Sequence, residues 1–205
     1  MKKKNSAVVI GAVLALLVLV LFIWPKIEWS RQMQSRDHQV YHGSQPYLDI
    51  SFQYPRDWRV MEDKGKIDAY TQAMVLGPRN LDDTYTASFI VRGSPLKSKQ
   101  GRFENVEQLK QNYLTHLYKN PRLLDQSAAK VQNRTAEDVM VMYTIPPAHH
   151  IGLKSKEIPV KAKALFTQNG DYFYEFIYSA DEREFEKHLD EFKYLLKSIR
   201  FENMP

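Results

Sequence analysis

The chain has 205 residues, 43% hydrophobic and 26% charged, enough for one ordinary domain with a real core and too balanced for a disordered or fibrous chain. It contains no cysteine, which excludes disulfides, thiol nucleophiles, thiolate-ligated zinc, iron–sulfur clusters and a lipid-modified cysteine anchor. Of the net charge of +5, Lys2, Lys3 and Lys4 supply three; the chain beyond residue 24 carries 26 basic against 24 acidic side chains, and this balance argues against nucleic acid as a partner.

From Ala7 to Trp24 the sequence runs AVVIGAVLALLVLVLFIW, eighteen residues without a charged or polar side chain. As a helix this run spans roughly 27 Å, close to the hydrocarbon thickness of a bilayer. Trp24 and Trp29 stand at its exit, where amphipathic rings favour the headgroup region. The lysine cluster predicts a cytoplasmic N-terminus and therefore an extracytoplasmic domain. A cleaved signal peptide is the alternative, but its apolar core is usually about 7–15 residues and ends at small residues. Here PKIEWSRQ follows, so the expectation is an uncleaved, single-pass anchor over residues 1–25.

Residues 26–46 read as a polar connector, able to continue the helix for a turn or two before Gly43 and Pro46 break it. The domain then occupies residues 47–205. Leu48–Tyr54 alternates apolar and polar residues as a half-buried strand does, Pro55–Asp57 reads as a turn, and Trp58 and Val60 resume the alternation. Short strands are expected around Gln72–Leu76 and Ala87–Val91. A helix follows at Asn105–Lys119, with Val106, Leu109, Tyr113 and Leu117 on one face and a capping box from Asn105 and Gln108. The run VMVMYTI at 139–145 is nearly continuous in apolar residues, as in a strand covered on both faces.

Residues 158–178 form two alternating runs around Asn169-Gly170, a dipeptide suited to a type I′ hairpin turn. The last element is a helix from Asp181 to Ser198, with a capping box from Ser179 and Glu182 and a stripe of Phe185, Leu189, Phe192, Leu196 and Ile199. The fold class expected is α+β: an antiparallel sheet covered by helices on both faces, preceded by one transmembrane helix.

Two segments carry a family resemblance. Ile50-Ser51-Phe52-Gln53-Tyr54-Pro55-Arg56-Asp57-Trp58 resembles the opening strand and turn of the PsbP-like family. Tyr174-Glu175-Phe176-Ile177-Tyr178-Ser179-Ala180, then Phe185, Phe192 and Leu195 to Phe201, resembles that family's closing strand and helix. The resemblance implies an α/β/α sandwich and a non-enzymatic role. PsbP proteins are extrinsic subunits that stabilise the oxygen-evolving side of photosystem II and help retain calcium and chloride; related bacterial domains are envelope proteins. The sequence departs from the plant pattern in its anchor and in Asp57, where the family commonly has glycine.

Candidate chemistry is sparse. His38 and His42 have the i, i+4 spacing that serves zinc on a helix, but Gln39 follows His38 where a metalloprotease has glutamate. His149 and His150 are adjacent in a loop and would need ligands from elsewhere. No cofactor is expected, and a divalent metal at one of these pairs is the alternative. No Gly-rich phosphate loop and no G-x-S-x-G elbow occurs. The tetrapeptide Leu-Lys-Ser-Lys occurs twice, which makes Lys97, Lys99, Lys154 and Lys156 candidate contacts for an acidic partner or anionic headgroups. The expected function is a membrane-tethered, non-enzymatic binding, assembly or stabilising factor with a protein partner in a membrane or envelope. The alternatives are a metal or small-ligand binding module and, behind it, a hydrolase.

Overall fold

A computed structural model describes residues 37–43, 47–64, 70–78, 86–146 and 157–202. The apolar run Ala7–Trp24 and the connector as far as residue 36 lie outside the described residues, as do His149, His150, Lys154 and Lys156. Among the described residues, no helix is long and apolar enough to cross a membrane.

The described elements, in chain order, are β1 (His38–His42), β2 (Ile50–Pro55), β3 (Arg59–Lys64), β4 (Thr71–Leu76), β5 (Ala87–Pro95), α1 (Val106–Thr115), β6 (Lys119–Val131), β7 (Arg134–Ile145), β8 (Ile158–Asn169), β9 (Tyr172–Asp181), α2 (Phe185–Ser198) and β10 (Arg200–Phe201). They form a three-stranded sheet in the order β1-β2-β10 and a seven-stranded sheet in the order β3-β4-β5-β9-β8-β7-β6, with antiparallel pairing throughout. The large sheet is two meanders. One runs β3 to β5; the other runs β6 to β9 and returns its last strand beside β5.

Side chains directly opposite across an antiparallel pair share a face. Phe89, Val91, Leu165, Tyr174, Phe176 and Tyr178 therefore lie on one face, where they pack with α2 and the apolar side chains of β2. Ile90, Val139, Ala164, Phe166, Phe173 and Ile177 lie on the other, beneath α1. On the α2 side, Phe89 sits among the rings of Trp58, Tyr178 and Phe192 at centroid separations of 4.4, 5.6 and 5.7 Å. Each fully buried aromatic of this kind contributes roughly 1.5–3 kcal/mol by burial alone. The Trp58 expected after the turn is thus a core anchor, set by the Pro55 carbonyl accepting from the Trp58 N–H at 3.0 Å.

Several local expectations shift. His38–His42 does not extend a helix: it forms β1, paired along its length with β2. The 158–178 hairpin is present, but Asn169 pairs with Tyr172, so the loop is Gly170-Asp171. Gly170 alone has positive φ there, 57°, and glycine at the first loop position suits a II′ turn rather than the I′ turn expected of Asn-Gly. The Ser179–Glu182 capping box does not form. Ser179 belongs to β9, where its hydroxyl bonds that of Ser88 at 2.9 Å, and α2 begins only at Phe185. Strand β6 had no counterpart in the sequence reading, because an edge strand whose side chains are nearly all exposed leaves no alternation to detect. Its bulges and its Lys119, Arg122, Asp125 and Lys130 are the devices by which exposed edges avoid pairing with other chains.

The α1 cap holds in part. Asn105 is the N-cap and its side chain accepts from the Gln108 N–H at 2.9 Å, while the Gln108 side chain reaches back to the N–H of Glu104 rather than of Asn105. Replacing Asn105 with alanine should cost about 1 kcal/mol, a melting temperature lower by roughly 2–4 °C. Thermal unfolding followed by circular dichroism checks it, and no measurable change would show that α1 is held by packing alone.

Candidate functional site

A charged row crosses the α1 face of the large sheet. Gln72 on β4 stands opposite Arg92 on β5, and Arg92 stands opposite Glu175 on β9. Cross-strand register alone therefore brings together residues 20 and 83 positions apart in sequence. Arg92 Nη1 donates to Glu175 Oε1 at 3.2 Å and Oε2 at 3.4 Å, while Nε and Nη2 donate to Gln72 Oε1 at 3.2 and 3.1 Å. The Tyr70 ring lies 5.0 Å from the guanidinium carbon, a cation–π distance. The side chain of Arg92 is held on three sides and remains 29% exposed, whereas Glu175 is only 6% exposed.

The neighbours of Glu175 set its charge. Burial pushes its carboxyl group above the ordinary glutamate range, and the Arg92 charge and hydrogen bonds pull it back only in part. Tyr113 descends from α1 onto the same face, its ring 5.3 Å from that of Phe166. Its hydroxyl is buried with no hydrogen-bond partner among the described residues. Burial pushes that phenol well up, and the nearby Tyr143 and Glu175 add to the effect.

Above this row lies a cavity of about 210 Å³ lined by Tyr70, Arg92, Ser94, Arg102, Phe103, Asn112, His116 and Glu175. Five pieces of chain build it: Tyr70 just before β4, Arg92 and Ser94 on β5, Glu175 on β9, Arg102 and Phe103 on the loop after β5, and Asn112 and His116 at the end of α1. The loop is fixed by backbone bonds from Leu96 N–H to the Asp171 carbonyl and from Lys97 N–H to the Phe103 carbonyl. Nδ1 of His116 lies 2.7 Å from the Asn112 carbonyl oxygen, which can only accept, so Nδ1 carries a proton and Nε2 of the neutral ring is an acceptor. Ser94 has no side-chain hydrogen bond to His116 or Glu175, and the hydroxyl beside the His116 ring is that of Thr115, 3.2 Å from Nδ1. The arrangement suits anion recognition by a guanidinium whose position is fixed before the ligand arrives.

The residues singled out from sequence fall elsewhere or beside this cavity. His38 is buried against α2, stacked on Tyr194 at 4.3 Å with Nε2 3.7 Å from Glu191 Oε2. His42 is exposed, its Nδ1 3.5 Å from Glu202 Oε1. The i, i+4 argument assumed a helix; on a strand the two sit roughly 13 Å apart and cannot share a metal ion. Among the described residues, no group of three His, Asp or Glu side chains is placed to hold a metal. Lys97 and Lys99 lie in a short 3₁₀ turn on the loop that borders the cavity, each in a surface ion pair, with Glu104 at 2.7 Å and Asp171 at 3.3 Å.

Sequence reading missed the cavity itself. Its one signal is a carboxylate inside an aromatic strand, Tyr-Phe-Tyr-Glu-Phe-Ile-Tyr, and an arginine inside another, Phe-Ile-Val-Arg-Gly. A charge in a strand covered on both faces must find an opposite charge, though sequence does not say which.

The architecture defines an antiparallel α+β domain with the PsbP-like fold. Among solved structures, the cyanobacterial PsbP of Synechocystis sp. PCC 6803 superposes with a TM-score of 0.52 at 14% identity, over 81% of this chain and 93% of that one. LpqN of Mycobacterium tuberculosis, described as involved in cell envelope biogenesis, gives a TM-score of 0.48 at 14% identity over 80% and 90%. A Bacteroides thetaiotaomicron protein also gives 0.48 at 14% identity, and this chain spans about half of it, 48%. No family model matches the chain, and no curated protein matches it in sequence.

Proposed function

We propose that this chain is a membrane-tethered, extracytoplasmic PsbP-like domain that works without catalysis, as a binding and stabilising factor for a membrane or envelope complex, and that it engages its partner through the Arg92 cavity. The observation that carries the reading is the cavity floor: Arg92 locked by Glu175 and Gln72 and still partly open to solvent. Such a floor is organised in advance for an anionic group, and organisation in advance is what turns a small contact into useful affinity. The volume of about 210 Å³ is below the roughly 300–1,000 Å³ of sites that enclose a whole small molecule, which favours one group of a larger partner over a free ligand. The anchor expected at Ala7–Trp24 would hold the domain at the membrane surface and raise its effective concentration there.

The test is site-specific photo-crosslinking of the full-length protein in its native membranes. Probes at Asn112 and His116 should give one reproducible protein adduct, and a probe at Arg183, an exposed position on the β9–α2 connection, should not. Equal background labelling from all three positions would overturn the assignment of this surface.

A further inference from the structure

We propose that Asn169 is a site of spontaneous deamidation, and that the aspartate formed there completes an ion pair with Arg134. Asn169-Gly170 is the only Asn-Gly pair in the sequence, and it stands at the closed end of the β8–β9 hairpin. Glycine is the following residue that obstructs ring closure least, because it carries no side chain. Gly170 is exposed and lies in the loop outside the strand ladder, and its N–H enters no hydrogen bond among the described residues. That nitrogen is open to base and free to approach the Asn169 side chain, in a loop that opens more readily than the core strands behind it.

The step needs only the chain and water. The Gly170 nitrogen loses its proton to hydroxide and bonds to Asn169 Cγ. The Cγ–Nδ2 bond breaks, and Nδ2 leaves as ammonia with a proton taken from water. Water then opens the cyclic imide. Attack at Cγ restores the backbone with an aspartate side chain. Attack at the main-chain carbonyl carbon instead leaves the chain running through the side chain, longer by one carbon.

The first product suits its surroundings. Arg134 Nε donates to Asn169 Oδ1 at 2.6 Å, which fixes the amide with its oxygen toward the cation. Nδ2 is buried with no hydrogen-bond partner, and a buried donor left unpaired is unfavourable. Arg134 meets no acid at ion-pair distance among the described residues; its guanidinium carbon lies 4.3 Å from the centre of the Phe201 ring. Exchanging the amide for a carboxylate removes the unpaired donor and gives a half-buried cation its counter-ion. The longer product would break the Asn169–Tyr172 pair and displace Asp171, whose carbonyl accepts from the Leu96 N–H.

The experiment ages the full-length protein in detergent micelles at mildly alkaline pH, with peptide mapping by mass spectrometry at intervals. The result expected is a mass gain of about 1 Da at residue 169, earlier than at Asn133, which is exposed in the β6–β7 turn. In parallel, Asn169→Asp should raise the melting temperature at neutral pH by roughly 2–4 °C. In an Arg134→Gln background the same substitution should bring no rise. The ageing series and the single variant decide the matter even where Arg134→Gln fails to fold. No gain at residue 169 ahead of Asn133 would overturn the modification site. A melting temperature lowered by Asn169→Asp, or raised equally without Arg134, would overturn the ion pair.

Discussion

Gly93→Ala is expected to destabilise the domain by about 3 kcal/mol, lowering the melting temperature by roughly 6–12 °C. Gly93 lies in β5 between Thr71 of β4 and Tyr174 of β9, so its strand cannot slide aside. A Cβ there would land on the Tyr47 carbonyl oxygen, well inside contact distance, with the rest of that peptide group just behind it. The obstacle is backbone, which has no rotamer to retreat to. It is also backbone under constraint, since Tyr47 has a φ of 69° and the next residue, Leu48, is fully buried. Differential scanning calorimetry gives the size of the effect. Hydrogen exchange should show the Ile50 and Phe52 amides losing protection first, because the displaced segment leads into β2. A loss below about 0.5 kcal/mol would mean the chain crosses the sheet more loosely than this packing implies.

Glu175→Ala should cost about 3 kcal/mol at neutral pH, because it strands the Arg92 charge in a site built around its counter-ion. Glu175→Gln should cost less, since an amide oxygen still accepts from Arg92. The two differ in their pH dependence as well. The folded-state pKa of Glu175 is raised, so between the ordinary glutamate value of 4.5 and that raised value the native state binds more protons than the unfolded one. The contribution of Glu175 to stability is therefore largest in acid and falls as pH rises through that window; the glutamine variant lacks this slope. Denaturant titrations of wild type and both variants across the acid range measure it. A double replacement, Arg92→Met with Glu175→Leu, should recover much of the stability lost in Glu175→Ala while abolishing crosslinking from His116. Stability and crosslinking lost together in the double variant would mean that the pair serves the fold and not the partner.

Elements whose signal is local were legible from the residues. The first half of β8 alternates because its Val160 and Ala162 face is the more deeply buried there, while β9 is buried on both faces. The α2 stripe repeats because one face of that helix meets the core. Asn105 could be named as a cap because its partner is three residues away. The family-like segments at 50–58 and 174–201 anticipated the PsbP-like fold because they hold aromatic residues such as Phe52, Trp58, Tyr178 and Phe192 that build its core. Where a local signal had a competitor at long range, it failed: Ser179 was claimed by Ser88 across β5 and β9 instead of capping a helix.

The sequence by itself determined the apolar run at the N-terminus, the hairpin, the two amphipathic helices and the absence of cysteine chemistry, because each depends on neighbours within a few residues. Only the tertiary structure decided that β9 returns beside β5, and with it that Glu175 lies under Arg92 and that α1 and the Arg102 loop close over them. The order of strands in a sheet is chosen by the total burial of two faces, a sum over the whole chain that no local pattern records. The cavity is a product of that sum, so its residues could be listed from sequence but not assembled.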